Sequence, residues 1–263
     1  MISFGMPTLI ELPDAESSAA LCRELGLDFV ELNMSFPLYQ PETLDEGRLR
    51  DIMERYGVYF TIHADESTDP CSVNRRIAGV YSDTMEYAVA LAGRLGMPSV
   101  NMHLLRGVYV TLPERRTYIY AENEELYLDG LRRFRDRMER AAGESGVRVC
   151  IENTDGFDLP FLAHGVDTLL ESPAFALTYD IGHDNAIGGA DREFILARSD
   201  RLVHMHMHDG AGQRVHLALG DGDMDIAWYR ALAERCGCRA VLETKTVAAL
   251  RKSVEYLRVR GWI

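Results

Sequence analysis

Imidazoles and carboxylates recur along this chain where short apolar runs end. His63 closes Thr61-Ile62-His63, His103 closes Asn101-Met102-His103, and Glu152 closes Val149-Cys150-Ile151-Glu152. Asp180 closes Thr178-Tyr179-Asp180, with His183 three residues on, and Glu243 closes Val241-Leu242-Glu243. Between them lies His204-Met205-His206-Met207-His208-Asp209, with His216 in the segment that follows. Singly, each has an ordinary structural explanation, as a hydrogen-bonded core histidine or a solvated carboxylate. Gathered in one place, the carboxylates would raise one another's pKa unless a cation neutralised them. Glu, Asp and neutral His are ligands of Mn²⁺, Co²⁺, Mg²⁺ and Zn²⁺, so the chemistry they suggest is that of a divalent-metal site.

Gathering them requires a particular set of elements. Short apolar runs alternate with longer helical patterns, and glycine or proline turns separate them: Gly26 precedes Phe29–Leu32, Gly57 precedes Val58–His63, and Gly96-Met97-Pro98 precedes Ser99–His103. Gly146 precedes Val147–Glu152, Pro173 precedes Phe175–Asp180, Asp200 precedes Leu202–His208, and Gly237 precedes Ala240–Glu243. Glycine just past a helix end is a stop signal, because it takes the left-handed conformation without a Cβ penalty. With Ile2–Gly5 there are eight strands, and helices are predicted over Arg75–Leu95 and Ala121–Ala142 among others. Strands alternating with helices make a parallel sheet, and eight units over 263 residues predict one α/β domain, residues 1–263, a single (β/α)8 TIM barrel. That fold places functional groups at the C-terminal ends of its strands, which is where these residues fall. His204, His206 and His208 alternate onto one face. His204 is expected deepest and structural, and His206 and His208 compete for the metal.

Composition narrows the partners. A formal charge of −13 opposes broad attraction to nucleic acid or anionic membrane. No apolar run approaches the ~20 residues needed to cross a bilayer, and no signal peptide is visible at the N-terminus. Five scattered cysteines form neither a disulfide framework nor a zinc-finger spacing, and a reducing, cytoplasmic setting is the expectation. Pairing into a homo-oligomer through helical faces is compatible with this reading.

In their order, the motifs Ile-Glu152-Asn-Thr, Asp180-Ile-Gly-His183, His206-Met-His-Asp209 and Leu-Glu243-Thr resemble those of the xylose isomerase-like barrel superfamily, over essentially the whole chain. The resemblance implies one divalent metal (Mn, Co, Mg or Zn) held by Glu152, Asp180, His206 and Glu243. It selects His206 over His208 because the ligand stands three residues before the Asp ending strand seven. It further implies a sugar, sugar phosphate or sugar acid isomerase or epimerase. Glu152 and Glu243 would then be the catalytic acid–base pair, working through a metal-stabilised enediolate. His63, His103, His183 and His216 would contact a small carbohydrate substrate, together with Arg214 and Arg106. Arg106 belongs to a loop, Arg106–Tyr118, whose arginines and tyrosines could grip an anionic group.

Endonuclease IV, a three-zinc enzyme cleaving DNA at abasic sites, shares this scaffold. Its ligand positions match His63, His103, Glu152, Asp180, His183, His206, His216 and Glu243, but Arg214 stands where an Asp ligand is expected, and the charge of −13 suits DNA poorly. A second metal at His63, His103 and Glu152 would direct the chemistry to phosphate-ester hydrolysis, and lyases and hydrolases also use the scaffold. A binding protein that has lost catalysis would be expected to lack one of the two glutamates, and both are present.

Overall fold

A computed structural model describes residues 2–154 and 156–263. Eight strands run parallel: β1 (Ser3–Pro7), β2 (Phe29–Asn33), β3 (Tyr59–His63), β4 (Ser99–His103), β5 (Arg148–Glu152), β6 (Phe175–Asp180), β7 (Leu202–Met207) and β8 (Arg239–Leu242). They pair in sequential order and β8 closes onto β1, so the chain forms the expected closed (β/α)8 barrel. The helices are α1 (Ala15–Leu25), α2 (Glu46–Tyr56), α3 (Arg75–Leu95), α4 (Ile119–Glu122), α5 (Glu124–Ala142), α6 (Pro160–Leu170), α7 (Ile181–Ala186), α8 (Arg192–Leu196), α9 (Ile226–Cys236) and α10 (Val247–Val259). Side chains of Asp14, Asp45, Asn74, Asp225 and Thr246 cap helix N-termini, and Gly26, Gly57, Gly96 and Gly237 end helices in the left-handed conformation. No helix among the described residues is long and apolar enough to cross a membrane.

Two features depart from the sequence expectation. The helix expected over Ala121–Ala142 is two helices, because Asn123 leaves helical geometry (φ −130°, ψ 45°) and its amide donates to the Ile119 carbonyl. Two hairpins also stand outside the barrel on its C-terminal side. One, Tyr109–Thr111 with Arg116–Tyr118, follows β4; the other, Asp209–Ala211 with Arg214–Leu217, follows β7.

The barrel interior is layered by the period-2 alternation of its strands. The lower end is filled by Phe29, whose ring stacks on Tyr59 at 5.0 Å and lies against Gly5, where a Cβ would overlap it. Above it the filling turns polar. The Thr61 hydroxyl donates to Glu31 at 3.1 Å, and the Thr178 hydroxyl donates to Asn101 Oδ1 at 2.6 Å. A barrel middle built from hydrogen-bonded side chains instead of aliphatic ones is costly unless every group is satisfied. Here those partners also hold the layer above them.

Candidate metal centre

The top layer brings together residues from six strands. The His206 Nδ1 atom lies 3.3 Å from Glu152 Oε2, 3.3 Å from Glu243 Oε2 and 3.9 Å from Asp180 Oδ2. His63 Nε2 and His103 Nε2 approach the same Glu152 oxygen at 3.4 and 3.5 Å. The other Glu152 oxygen accepts from the Thr154 hydroxyl at 3.1 Å, and the Asn101 amide donates to Oε2. Glu152, Asp180 and His206 are buried, while Glu243 sits at the rim of the cluster.

Hydrogen bonding decides which imidazole nitrogen faces this cluster. Glu31, from β2, takes His206 Nε2 at 2.9 Å on one carboxylate oxygen and His204 Nε2 at 3.0 Å on the other. Both Nε2 atoms must carry protons to be compatible with that carboxylate. His206 therefore turns Nδ1 toward the three other carboxylates, and among the described residues no hydrogen bond satisfies it; Glu243 Oε2 is likewise buried with no hydrogen-bond partner among them. A bare imidazole lone pair cannot face three carboxylates. Either Nδ1 is protonated or a cation stands there, and burial opposes the first while the carboxylates of Glu152, Glu31 and Glu243 outweigh that and hold the imidazole pKa well above its usual value. Burial alone would push the Glu152 carboxyl up, but His206 and His103 outweigh it and hold it well below its ordinary value. The donor set of three carboxylates and one imidazole, with two unpartnered atoms turned inward, fits a divalent cation.

His208 plays a different part. Its Nδ1 accepts the His216 main-chain N–H at 2.8 Å, which puts its proton on Nε2, facing Asp180 Oδ1 at 3.1 Å. It orients a carboxylate instead of offering a lone pair to the cluster, the arrangement typical of the shell behind a metal ligand. Gly182 makes room for that ring, since a Cβ there would overlap it. His204 lies deepest, as expected, and burial lowers its pKa, so it stays neutral against Glu31. His183 is half-buried, its Nε2 3.9 Å from Asp180. His216 sits at φ 56°, the one non-glycine residue at positive φ among the described residues, with its ring 4.3 Å from that of His208.

The loops fix this rim. Asn153, next to Glu152, donates to the Asp180 carbonyl at 3.1 Å and accepts the Asp180 N–H at 2.7 Å, so one side chain locks the ends of β5 and β6 together. Asp191 accepts from Asn153 and from Phe157 N at 3.2 and 2.6 Å. After β7, the Asp209 carboxylate accepts the amides of Gly210, Gly220 and Met224 at 2.9, 2.8 and 3.2 Å and so ties down the glycine-rich loop.

The arginines singled out in the sequence do not join the cluster. Arg214 lies exposed on the second hairpin, paired with Ala211. Arg106 is exposed at the base of the first, its guanidinium 3.5 Å from the Tyr118 hydroxyl. Arg115 pairs with Glu122 at 3.5 Å and Arg116 stacks over Tyr109 at 4.2 Å. A cavity of about 300 Å³ instead opens between the ends of β1, β2, β3 and β8, lined by Thr8, Asn33, Phe36, His63, Glu66 and Lys245. Lys245 Nζ bonds Glu243 Oε1 at 2.8 Å, leaving Oε2 to the cluster.

Two residues of this centre escaped the sequence reading, Glu31 and Lys245. Glu31 carried a signal, a lone carboxylate inside the apolar run Phe29-Val30-Glu31-Leu32 on the same alternation as Asn33. Lys245 carried none, standing two residues past a strand end in a polar turn.

A closed eight-stranded barrel with a carboxylate–imidazole cluster at its C-terminal mouth defines the class. The family model of the xylose isomerase-like TIM barrel matches residues 19–260, and the chain belongs to that family. Among solved structures it superposes on a D-tagatose 3-epimerase-like protein (TM-score 0.79, 22% identity, 99% of this chain and 98% of that one). It also superposes on the D-allulose 3-epimerase of Methylomonas sp. in complex with D-allulose (TM-score 0.72, 16% identity, 100% and 97% covered). A similar sequence is the uncharacterized protein MJ1614 of Methanocaldococcus jannaschii, 23% identical over 213 residues, covering 80% of this chain and 78% of that protein.

Proposed function

We propose that this chain is a divalent-metal-dependent isomerase or epimerase of a small carbohydrate. The observation that carries the reading is the approach of Glu152 and Glu243, from strands on either side of β6 and β7, to the one unsatisfied nitrogen of His206 at 3.3 Å each. Glu152, Asp180, His206 and Glu243 would hold the ion. When bound, it would polarise a substrate carbonyl and its neighbouring hydroxyl and so acidify the carbon-bound hydrogen between them. The remaining work falls to side chains. One glutamate takes that proton and the other returns it from the opposite side, which is how a carbon centre is inverted or a carbonyl moved. Glu31 fixes the His206 tautomer, His208 orients Asp180, and Lys245 holds Glu243 by one oxygen. His63 donates Nδ1–H to the Ala64 carbonyl at 2.8 Å and turns Nε2 toward Glu152 Oε2 at 3.4 Å, so it faces the cluster where a substrate hydroxyl would sit. The structural neighbours are named for 3-epimerisation of ketohexoses, and D-allulose, D-tagatose and D-fructose are the first substrates to try.

The test is proton exchange in D₂O. Metal-loaded protein should wash deuterium into the carbon beside the ketose carbonyl, and Glu152→Gln and Glu243→Gln should each lower that rate on the order of 10²–10⁴-fold. Full exchange by both variants would rule the pair out. Elemental analysis of the same sample should find about one Mn, Co, Mg or Zn per chain. The proximity of His63 and His103 to Glu152 favours a second site as the alternative. Two or three zinc ions per chain, with cleavage of an abasic-site oligonucleotide, would favour that phosphodiesterase reading.

A further inference from the structure

The N-terminal end of the barrel, opposite the carboxylate–imidazole cluster, carries charge where this fold usually has branched aliphatic filling. The alternation that points Glu152 and Glu243 into the upper cluster also points Arg148 of β5 and Arg239 of β8 into the lower end. The register agrees. Arg239 pairs with Ser3 of β1, and Arg148 pairs with Ser99 of β4, each at the first residue of its strand. Both charges reach the same interior: burial pushes the Cys150 thiol up to about 12, and Arg239 and Arg148 both lie near enough to oppose it. The rings of Phe29 and His204, 6.1 Å apart, stand between this mouth and the cluster above.

Neither guanidinium has an ion-pair partner among the described residues. Arg239 donates to the Tyr59 hydroxyl, Tyr59 to Ser3 Oγ at 2.8 Å, and Ser3 to Asp28 at 2.9 Å. The acids at this end do not answer the two arginines. Asp28 is taken up by Ser3 and the Phe4 amide, Glu171 pairs with Arg135, and Asp200 is exposed. The Ser99 hydroxyl, on the inward alternation of Asn101, is buried with no hydrogen-bond partner among the described residues. A cavity of about 490 Å³ opens at this mouth, lined by Ser3, Tyr59, Gly237 and Arg239 among others, and a second of about 340 Å³ takes in Arg148 and Ala176. Two unpaired guanidiniums turned into one opening repel each other, and in a chain of formal charge −13 such a pair calls for an anion.

We propose that the N-terminal mouth of the barrel binds a phosphate group, free or carried on a small metabolite, between Arg148 and Arg239. The two strands lie three places apart around the barrel, so the two forks approach from different sides. A tetrahedral oxyanion presents oxygens to both forks and to a hydroxyl, whereas a planar carboxylate is filled by a single fork. Arg239 spends one N–H on Tyr59, which orients its guanidinium and leaves the rest of the fork for the ligand. Ser99, beside Arg148, supplies the hydroxyl. The site shares no residue with the cluster above, so it stands or falls apart from the isomerase reading.

Titration calorimetry of the metal-loaded full chain with inorganic phosphate, at fixed ionic strength, tests this. Glu243→Gln, which alters only the upper cluster, should keep the phosphate. Arg239→Gln and Arg148→Gln should each weaken it on the order of 10–100-fold, and Arg148→Lys, which keeps the charge without the fork, should restore only part of that. Ser99→Ala should weaken binding roughly 3–10-fold at unchanged Tm, since its hydroxyl has no partner in the fold to lose. Sulfate should compete and acetate should not. Glycerol phosphate binding more tightly than inorganic phosphate would identify a metabolite-borne group as the source, and equal or weaker binding the free ion. Absence of binding up to about 10 mM phosphate would overturn the proposal. So would binding that Arg239→Gln and Arg148→Gln leave intact, or acetate competing as well as sulfate.

Discussion

Two stretches of the same rim behave as opposites. The loops after β5, β6 and β7 are pinned from below by buried carboxylates, Asp191 and Asp209, which between them accept four main-chain amides and the Asn153 side chain. The hairpin after β4 rests on one face against Phe161 and leaves its apolar face and edge to solvent. The difference follows from what each must do. A site that holds charge in fixed positions cannot tolerate slack of an ångström, so its loops are over-determined. The hairpin after β4 places no charged group in the cluster, so nothing requires it to be held as tightly.

The sharpest way to break the contrast is Asp209→Ala. It strands the amides of Gly210, Gly220 and Met224 and should cost roughly 3–5 kcal/mol, read as a fall in Tm of about 10 °C. A fall of only one or two degrees would mean that the loop is not held by this carboxylate.

Asp191 offers a pH-dependent version. Burial, opposed by the Phe157 amide and the Asn153 side chain, pushes its carboxyl up to about 6. The folded protein therefore holds this proton over a window where the unfolded chain, with a carboxyl near 3.9, releases it. Its stabilising contribution is complete below about pH 4 and is lost as pH rises through 6. Urea unfolding of wild type and Asp191→Asn at pH 4.5 and 7 should reveal a relative shift on the order of 2 kcal/mol, the variant lacking the decline. Parallel behaviour of the two proteins across that range would refute it.

Glu31→Gln should leave the pinned loops in place and weaken the centre beneath them. Metal affinity by titration calorimetry is expected to drop 10–100-fold, since the carboxylate that sets the His206 tautomer is gone. Unaltered affinity would show that the tautomer does not depend on Glu31.

The smallest effect belongs to the open hairpin. Val108→Ala should alter unfolding free energy by no more than ~0.5 kcal/mol. A loss above 1 kcal/mol would place that side chain in the fold's own packing and erase the comparison.

Much of this was legible beforehand. Alternation of short apolar runs with helices and glycine stops announced the barrel, because strand, helix and turn preferences are local. Strand-end positions announced His63, His103, Glu152, Asp180 and Glu243, because period 2 and the barrel's polarity sort inner from outer and top from bottom. What lay across the barrel was decided only by its closure. Glu31 stands 173 residues before His204 in sequence and within hydrogen-bonding distance of it in space. Nothing local in either strand selects which inward residues will meet. The roles of His206 and His208 divided for the same reason: both lie on one face of one chain segment, and partners on β2 and β6 turned one toward the carboxylate cluster and the other toward Asp180 alone. Periodicity is a property of a strand, whereas hydrogen-bond partnership across a barrel is a property of its closed geometry.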